Sequence, residues 1–163
     1  MKAKNLMLGL VVVLSLALAL PGAVLATDTT EVTGSVTEGY TFTAPSTVTL
    51  GSMAPSATPH KASSTDGRLD GNDPAGYTVT GIDAKETNRG YMVNGSSVLT
   101  NKLKISNSDS EYIDANSNKT FLDTSGITGA DIALYVSQVV SYADPVATGY
   151  TVTITFTVTP KQS

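Results

Sequence analysis

From residue 150 to residue 159 the chain alternates without a break. Tyr150, Val152, Ile154, Phe156 and Val158 fall on one side, and Thr151, Thr153, Thr155, Thr157 and Thr159 on the other. A period of two puts all five apolar side chains on one face of a β-strand, whereas a helix would scatter them. Burying that face contributes on the order of 8–15 kcal/mol before chain entropy is counted. Pro160 has no N–H to give to a ladder and ends the run.

Shorter runs upstream carry the same period. Residues 31–37 alternate loosely. Tyr40, Phe42 and Ala44 make a short strand that Pro45 stops, and Val48 and Leu50 follow before Gly51. Tyr77, Val79 and Ile82 lie between Gly76 and Asp83; residues 91–93 and 98–105 add further short segments. The stretch 132–142 is apolar on both faces, as in a strand covered on both sides. Asp66-Gly67, Asp70-Gly71-Asn72-Asp73-Pro74 and Asn94-Gly95 read as turns. Residues 52–75, poor in large apolar side chains and rich in Pro, Ser and Asp, are expected to be an exposed loop. No segment after residue 26 sustains a helical period. The pattern predicts an all-β chain, an antiparallel β-sandwich of immunoglobulin-like or pilin-like type with about seven to nine strands.

The first 26 residues differ in kind. Lys2 and Lys4 precede an apolar run over 6–20, Pro21 and Gly22 end it, and Val24-Leu25-Ala26 suits a signal peptidase. This is the layout of a secretory signal helix cleaved after Ala26, and its apolar run is shorter than the roughly 20 residues that span a bilayer. The expectation is a signal peptide over 1–26, a single domain over 27–163, and a Sec-exported protein that is extracellular or at the cell surface.

Composition narrows the chemistry. Losing Lys2 and Lys4 with the leader takes ten basic residues to eight against fourteen acidic ones, a formal charge of −6. That argues against nucleic acid, whose binding depends on phosphate neutralisation, and against adhesion to anionic lipid by charge. The absence of cysteine excludes thiol catalysis, Cys-ligated zinc and iron–sulfur clusters. Thr and Ser make up more than a quarter of residues 27–163, and threonine favours extended chain.

Candidate chemistry is sparse. His60, the one histidine, follows Pro59, and no G-x-S-x-G elbow accompanies it. Asp66, Asp70, Asn72 and Asp73 place four oxygen-bearing side chains within eight residues, with glycines between. They could wrap a calcium ion, although the spacing misses the EF-hand pattern; solvated turns are the alternative. Asp109, Glu111 and Asp114, within 107–118, fit an exposed loop. No residue stands out as catalytic or cofactor-binding, so the chain is expected not to be an enzyme.

Arg89-Gly90-Tyr91-Met92, Ala133-Leu134-Tyr135-Val136, Ala147-Thr148-Gly149-Tyr150 and the threonine-alternating strand ending Thr159-Pro160 follow Val48-Thr49-Leu50-Gly51 in order. That order, over residues 36–160, resembles two groups of exported β-sandwich proteins. One is the WxL-type cell-surface family, and the other is the spore-coat-U and fimbrial-subunit group. The chain departs from both: it has no Trp for the W-x-L signature, and no Cys for the disulfide of many fimbrial subunits.

The last strand carries the functional expectation. It has no charge, whereas strands at sheet edges are usually guarded by Lys, Pro or bulges. Such a strand should be central in its own sheet or should pair with another chain. The free segment 28–37 is a second candidate for strand donation. The expected function is a secreted structural protein of the cell surface or matrix, self-associating or bound to other surface proteins. A secreted adhesin that binds glycan or cell wall through residues 52–75 is the alternative, and a small exported hydrolase ranks third.

Overall fold

The computed structural model describes residues 33–126 and 128–162; the expected signal peptide over 1–26 and its expected cleavage site lie outside them. All the regular elements described are strands. They are β1 (Tyr40–Thr43), β2 (Ser56–Gly71), β3 (Tyr77–Ile82), β4 (Val93–Asn94), β5 (Ser97–Val98), β6 (Lys104–Ser106), β7 (Ile113–Asp114), β8 (Lys119–Asp123), β9 (Thr128–Val140) and β10 (Thr155–Pro160). Three of these ten are only two residues long.

The strands form antiparallel sheets: a five-stranded sheet in the order β1-β2-β9-β6-β7, a three-stranded sheet β10-β3-β8, and the hairpin β4-β5. The two larger sheets share one core. Leu69 of β2, Ile105 of β6 and Ile132 of β9 are buried with Tyr77 and Val79 of β3 and Phe121 of β8. The Phe156 ring of β10 lies 5.0 Å from the Phe121 ring and 6.1 Å from Phe42 of β1. Aromatic pairs at such separations add roughly 0.5–1.5 kcal/mol beyond the area they bury.

One expectation is overturned. Residues 52–75 are not an exposed loop, because most of them form β2, which pairs with β1 on one side and β9 on the other. Its inward positions before Leu69 are small, and the register shifts between Ser64 and Gly67. Ala62 and Ser64 point inward before the bulge, and Gly67 and Leu69 after it. The bulge changes the parity of the alternation halfway along, which hides the period.

Other elements are shifted. Residues 33–37 are exposed and outside any strand. The alternation over 150–159 holds, with apolar side chains half-buried and threonines exposed, but the ladder begins only at Thr155. Its partner β3 ends at Ile82, opposite Thr155. There the buried Asp83 turns the chain, accepting hydrogen bonds from the Lys85 and Gly90 amides at 3.1 and 2.7 Å.

Candidate functional site

The two larger sheets have four edges, and three carry devices that discourage further pairing. β1 is four residues long and runs into Pro45. β7 is two residues long, and its Asp114 carboxylate lies 3.9 and 3.5 Å from the Lys102 and Lys104 ammonium groups. β8 carries Lys119 and Asp123 and has a register shift against β3. β10 is the fourth edge. Among the described residues it pairs only with β3, and it bears no charge; Thr155, Thr157 and Thr159 are exposed. Proline comes only at its last position. Its far end is fixed by the Lys161 amide, which donates to the Gly76 carbonyl at 2.9 Å.

The strand does not stop the apolar surface. Residues 150–154 lead into β10 and residues 44–50 lead away from β1, leaving a groove of about 350 Å³ between them. Met92, Leu103, Leu134 and Val136 are among its lining, and none of its described lining residues is charged. Among the described residues, no backbone–backbone hydrogen bond joins 44–50 or 152–154 to another segment. Of residues 150–154, Thr151 alone is tied by backbone bonds among the described residues, through reciprocal 2.9 Å bonds with Val93. Among the described residues, the groove is therefore flanked by chain outside any strand whose N–H and C=O groups are largely without backbone partners.

The acidic cluster is dispersed among structural duties. Asp66 sits at the β2 bulge and accepts the Ser46 amide at 2.8 Å, fixing the start of the 44–50 wall. That amide, followed by the hydroxyls of Ser64 and Ser46, lowers the Asp66 carboxyl to about 2. Asp70 makes a two-point pair with Arg68, at 3.0 and 2.8 Å. Asn72 accepts the Gly39 amide at 2.7 Å and donates to the Thr37 carbonyl at 3.0 Å. Asp73 accepts the Ala75 amide at 2.8 Å. Among the described residues no three acidic or histidine side chains are gathered as a metal-binding set.

The remaining candidates are equally local. His60 lies on β2 with its Nε2 2.8 Å from the Ala54 carbonyl oxygen. Asp109 accepts from Lys61 at 2.8 Å and from the Tyr112 hydroxyl at 2.7 Å. Within the stretch expected to be loop, Ile113 and Asp114 belong to β7. The groove walls were signalled in the sequence only by Val48 and Leu50 and by the final alternating run.

Among the described residues, fold and site thus define an all-β protein of antiparallel sheets with one uncharged edge strand beside an uncharged groove. Comparison with protein families, with curated proteins and with solved structures finds no match.

Proposed function

We propose that this chain is a secreted, non-enzymatic structural protein of the cell surface or extracellular matrix that self-associates through its open sheet edge. The two larger sheets are read as the layers of a pilin-like β-sandwich whose missing cover is supplied by a neighbour. The observation that carries this reading is the contrast among the four edges. β1, β7 and β8 are short, charged or irregular, whereas β10 has six uncharged residues with a free side. An edge of that kind is a template for another strand. The adhesin alternative loses the exposed loop it relied on, since that stretch is strand β2.

The test compares the processed chain, residues 27–163, with its Thr157→Lys variant by sedimentation velocity and negative-stain imaging. Thr157 is exposed on β10, so the lysine guards the edge while leaving the core alone. The expected result is concentration-dependent assembly of the parent and its loss in the variant, with matching circular dichroism. A parent that stays a monodisperse monomer at every concentration refutes the function.

A further inference from the structure

We propose that a polar pocket on the outer face of the five-stranded sheet binds a carboxylate-bearing sugar, a hexuronate unit of an acidic polysaccharide. The pocket shares no lining residue with β10 or with the groove beside it, so the proposal does not depend on whether copies associate.

The register of the sheet assembles the pocket. Lys104 of β6 stands opposite Ser137 of β9 and Asp114 of β7, in one row across the strands. Ile105 and Val136, their neighbours along the chain, are buried in the core. Alternation therefore turns Lys104 and Ser137 to the other face of the sheet. There, with Asp114, Lys102 and Tyr91, they line a cavity of about 410 Å³ whose wall also holds Pro59 and Val139. Small-ligand sites usually fall between about 300 and 1,000 Å³.

Four polar side chains in this cavity are unspent. The Lys102 and Lys104 ammonium groups lie 3.9 and 3.5 Å from the Asp114 carboxylate, beyond the usual hydrogen-bond length. Among the described residues neither ammonium, nor that carboxylate, nor the Ser137 hydroxyl makes a hydrogen bond. Ser137 is only 6 % exposed, so its hydroxyl is costly to leave unpaired unless water or a ligand in the cavity bonds to it. Polar groups around the cavity are by contrast engaged. Lys61 donates to Asp109 at 2.8 Å, and Asp144 accepts both the amide and the hydroxyl of Thr100 at 2.6 Å.

The unspent groups specify the ligand. Two ammonium groups against one carboxylate leave one positive charge over, which a single anionic group on the ligand balances. Ionised Asp114 accepts only, so it favours a ligand that also carries hydroxyl donors and opposes one that is anionic throughout, such as phosphate. The Ser137 hydroxyl can donate or accept. Tyr91, Pro59 and Val139 offer apolar surface to the C–H face of a ring. A carboxylate, several hydroxyls and a C–H face on one small unit are the chemistry of a uronic acid. The formal −6 of residues 27–163 repels an acidic polymer at low salt. At physiological ionic strength the screening length is about 8 Å, and the lysines within the pocket dominate.

Isothermal titration calorimetry of the purified protein at physiological ionic strength tests the site, with a galacturonic acid trimer, its methyl ester and free glutamate as probes. The expected result is saturable binding of the trimer with a dissociation constant below about 1 mM, and binding about tenfold weaker for the ester and for glutamate. The choice among the three probes tests the ligand class without any variant. Lys102→Gln and Lys104→Gln should each weaken the trimer about tenfold, the loss of one charge-assisted hydrogen bond. Ser137→Ala, which leaves the charge alone, should weaken it several-fold. Lys119→Gln removes the same charge from β8 of the other sheet and should leave binding unchanged. No saturable binding of the trimer overturns the proposal, and so does a loss in Lys119→Gln equal to those at Lys102 and Lys104. Ester binding as tight as the trimer's removes the role of the carboxylate, and glutamate binding as tight removes the sugar; either result overturns the assignment.

Discussion

Gly76 anchors the far end of the open edge strand, and replacing it by alanine tests that anchor. Its φ is +88°, and its carbonyl receives the Lys161 amide just after β10. A methyl group there would overlap the Thr124 carbonyl oxygen and lie 2.7 Å from the Thr124 carbonyl carbon and 2.9 Å from the Gly126 nitrogen. All three are backbone atoms, so no side-chain rotation relieves the overlap. The left-handed conformation alone costs an alanine about 1 kcal/mol. Forcing a methyl into packed backbone adds about 1–3 kcal/mol. The same shift loosens the Thr124 amide bond to the Tyr77 carbonyl, at 2.9 Å, and the Tyr77 amide bond to the Thr124 hydroxyl, at 3.0 Å. Gly95→Ala is the control. Gly95 has φ +57°, and no atom lies within 4 Å of the added methyl, so it costs only the conformational part, about 1 kcal/mol. The expected difference between the two variants is the overlap alone, about 1–3 kcal/mol. In urea unfolding, with a slope of about 2 kcal/mol per molar, that is a midpoint about 0.5–1.5 M lower for Gly76→Ala. Equal midpoints for the two variants would refute the anchoring argument.

Much of the fold is legible as alternation, and what is lost shows what alternation cannot encode. β3 and β9 lie within segments where large apolar residues recur, and β1 stops just before Pro45. β2, the longest strand, is invisible to the same rule. Before Leu69 its inward residues are small, and at Gly67 the structure approaches closely: a methyl there would lie 2.7 Å from the Pro45 ring and 2.6 Å from the Ile132 carbonyl oxygen. The bulge before Gly67 then reverses the parity. Asp, Gly and Pro in that stretch are turn-formers by composition, and only the neighbouring strands show that they serve a bulge and a strand end.

The site divides the same way. That the final run needs a cover is readable from its missing charge, and the structure places it at an edge instead of in the sheet interior. The groove is not readable, because its walls are about a hundred residues apart and its floor comes from other strands. The acidic cluster was legible as oxygen-rich but not as dispersed. Asp66 and Asp73 each accept a backbone amide within the fold, and Asp70 faces Arg68. Turn and bulge capping draws on the same residue types as cation binding.

Three further outcomes follow from the same contacts. Because the folded Asp66 carboxyl is lowered to about 2, below the usual value of about 3.9, its contribution is complete above pH ~4 and is lost as pH falls toward ~2. Asp66→Asn should be less stable at neutral pH and lose less on acidification over that window; parallel melting-temperature profiles for the two proteins would refute this. Calcium at millimolar concentration should leave the melting temperature within about a degree, since ligand stabilisation requires a site formed in the folded state; a rise of several degrees would restore the cation site at Asp66, Asp70, Asn72 and Asp73. Assembly should respond to salt in the direction set by net charge. Copies of residues 27–163 each carry a formal −6 and repel, while the groove and β10 hold no charge that salt could unpair. Raising ionic strength from ~0.01 to ~0.1 M shortens the screening length from ~30 to ~10 Å, so light scattering should show faster association with an unchanged dissociation rate. Slower association at the higher salt would mean that opposite charges bring the copies together, and the uncharged edge would not be the surface that joins them.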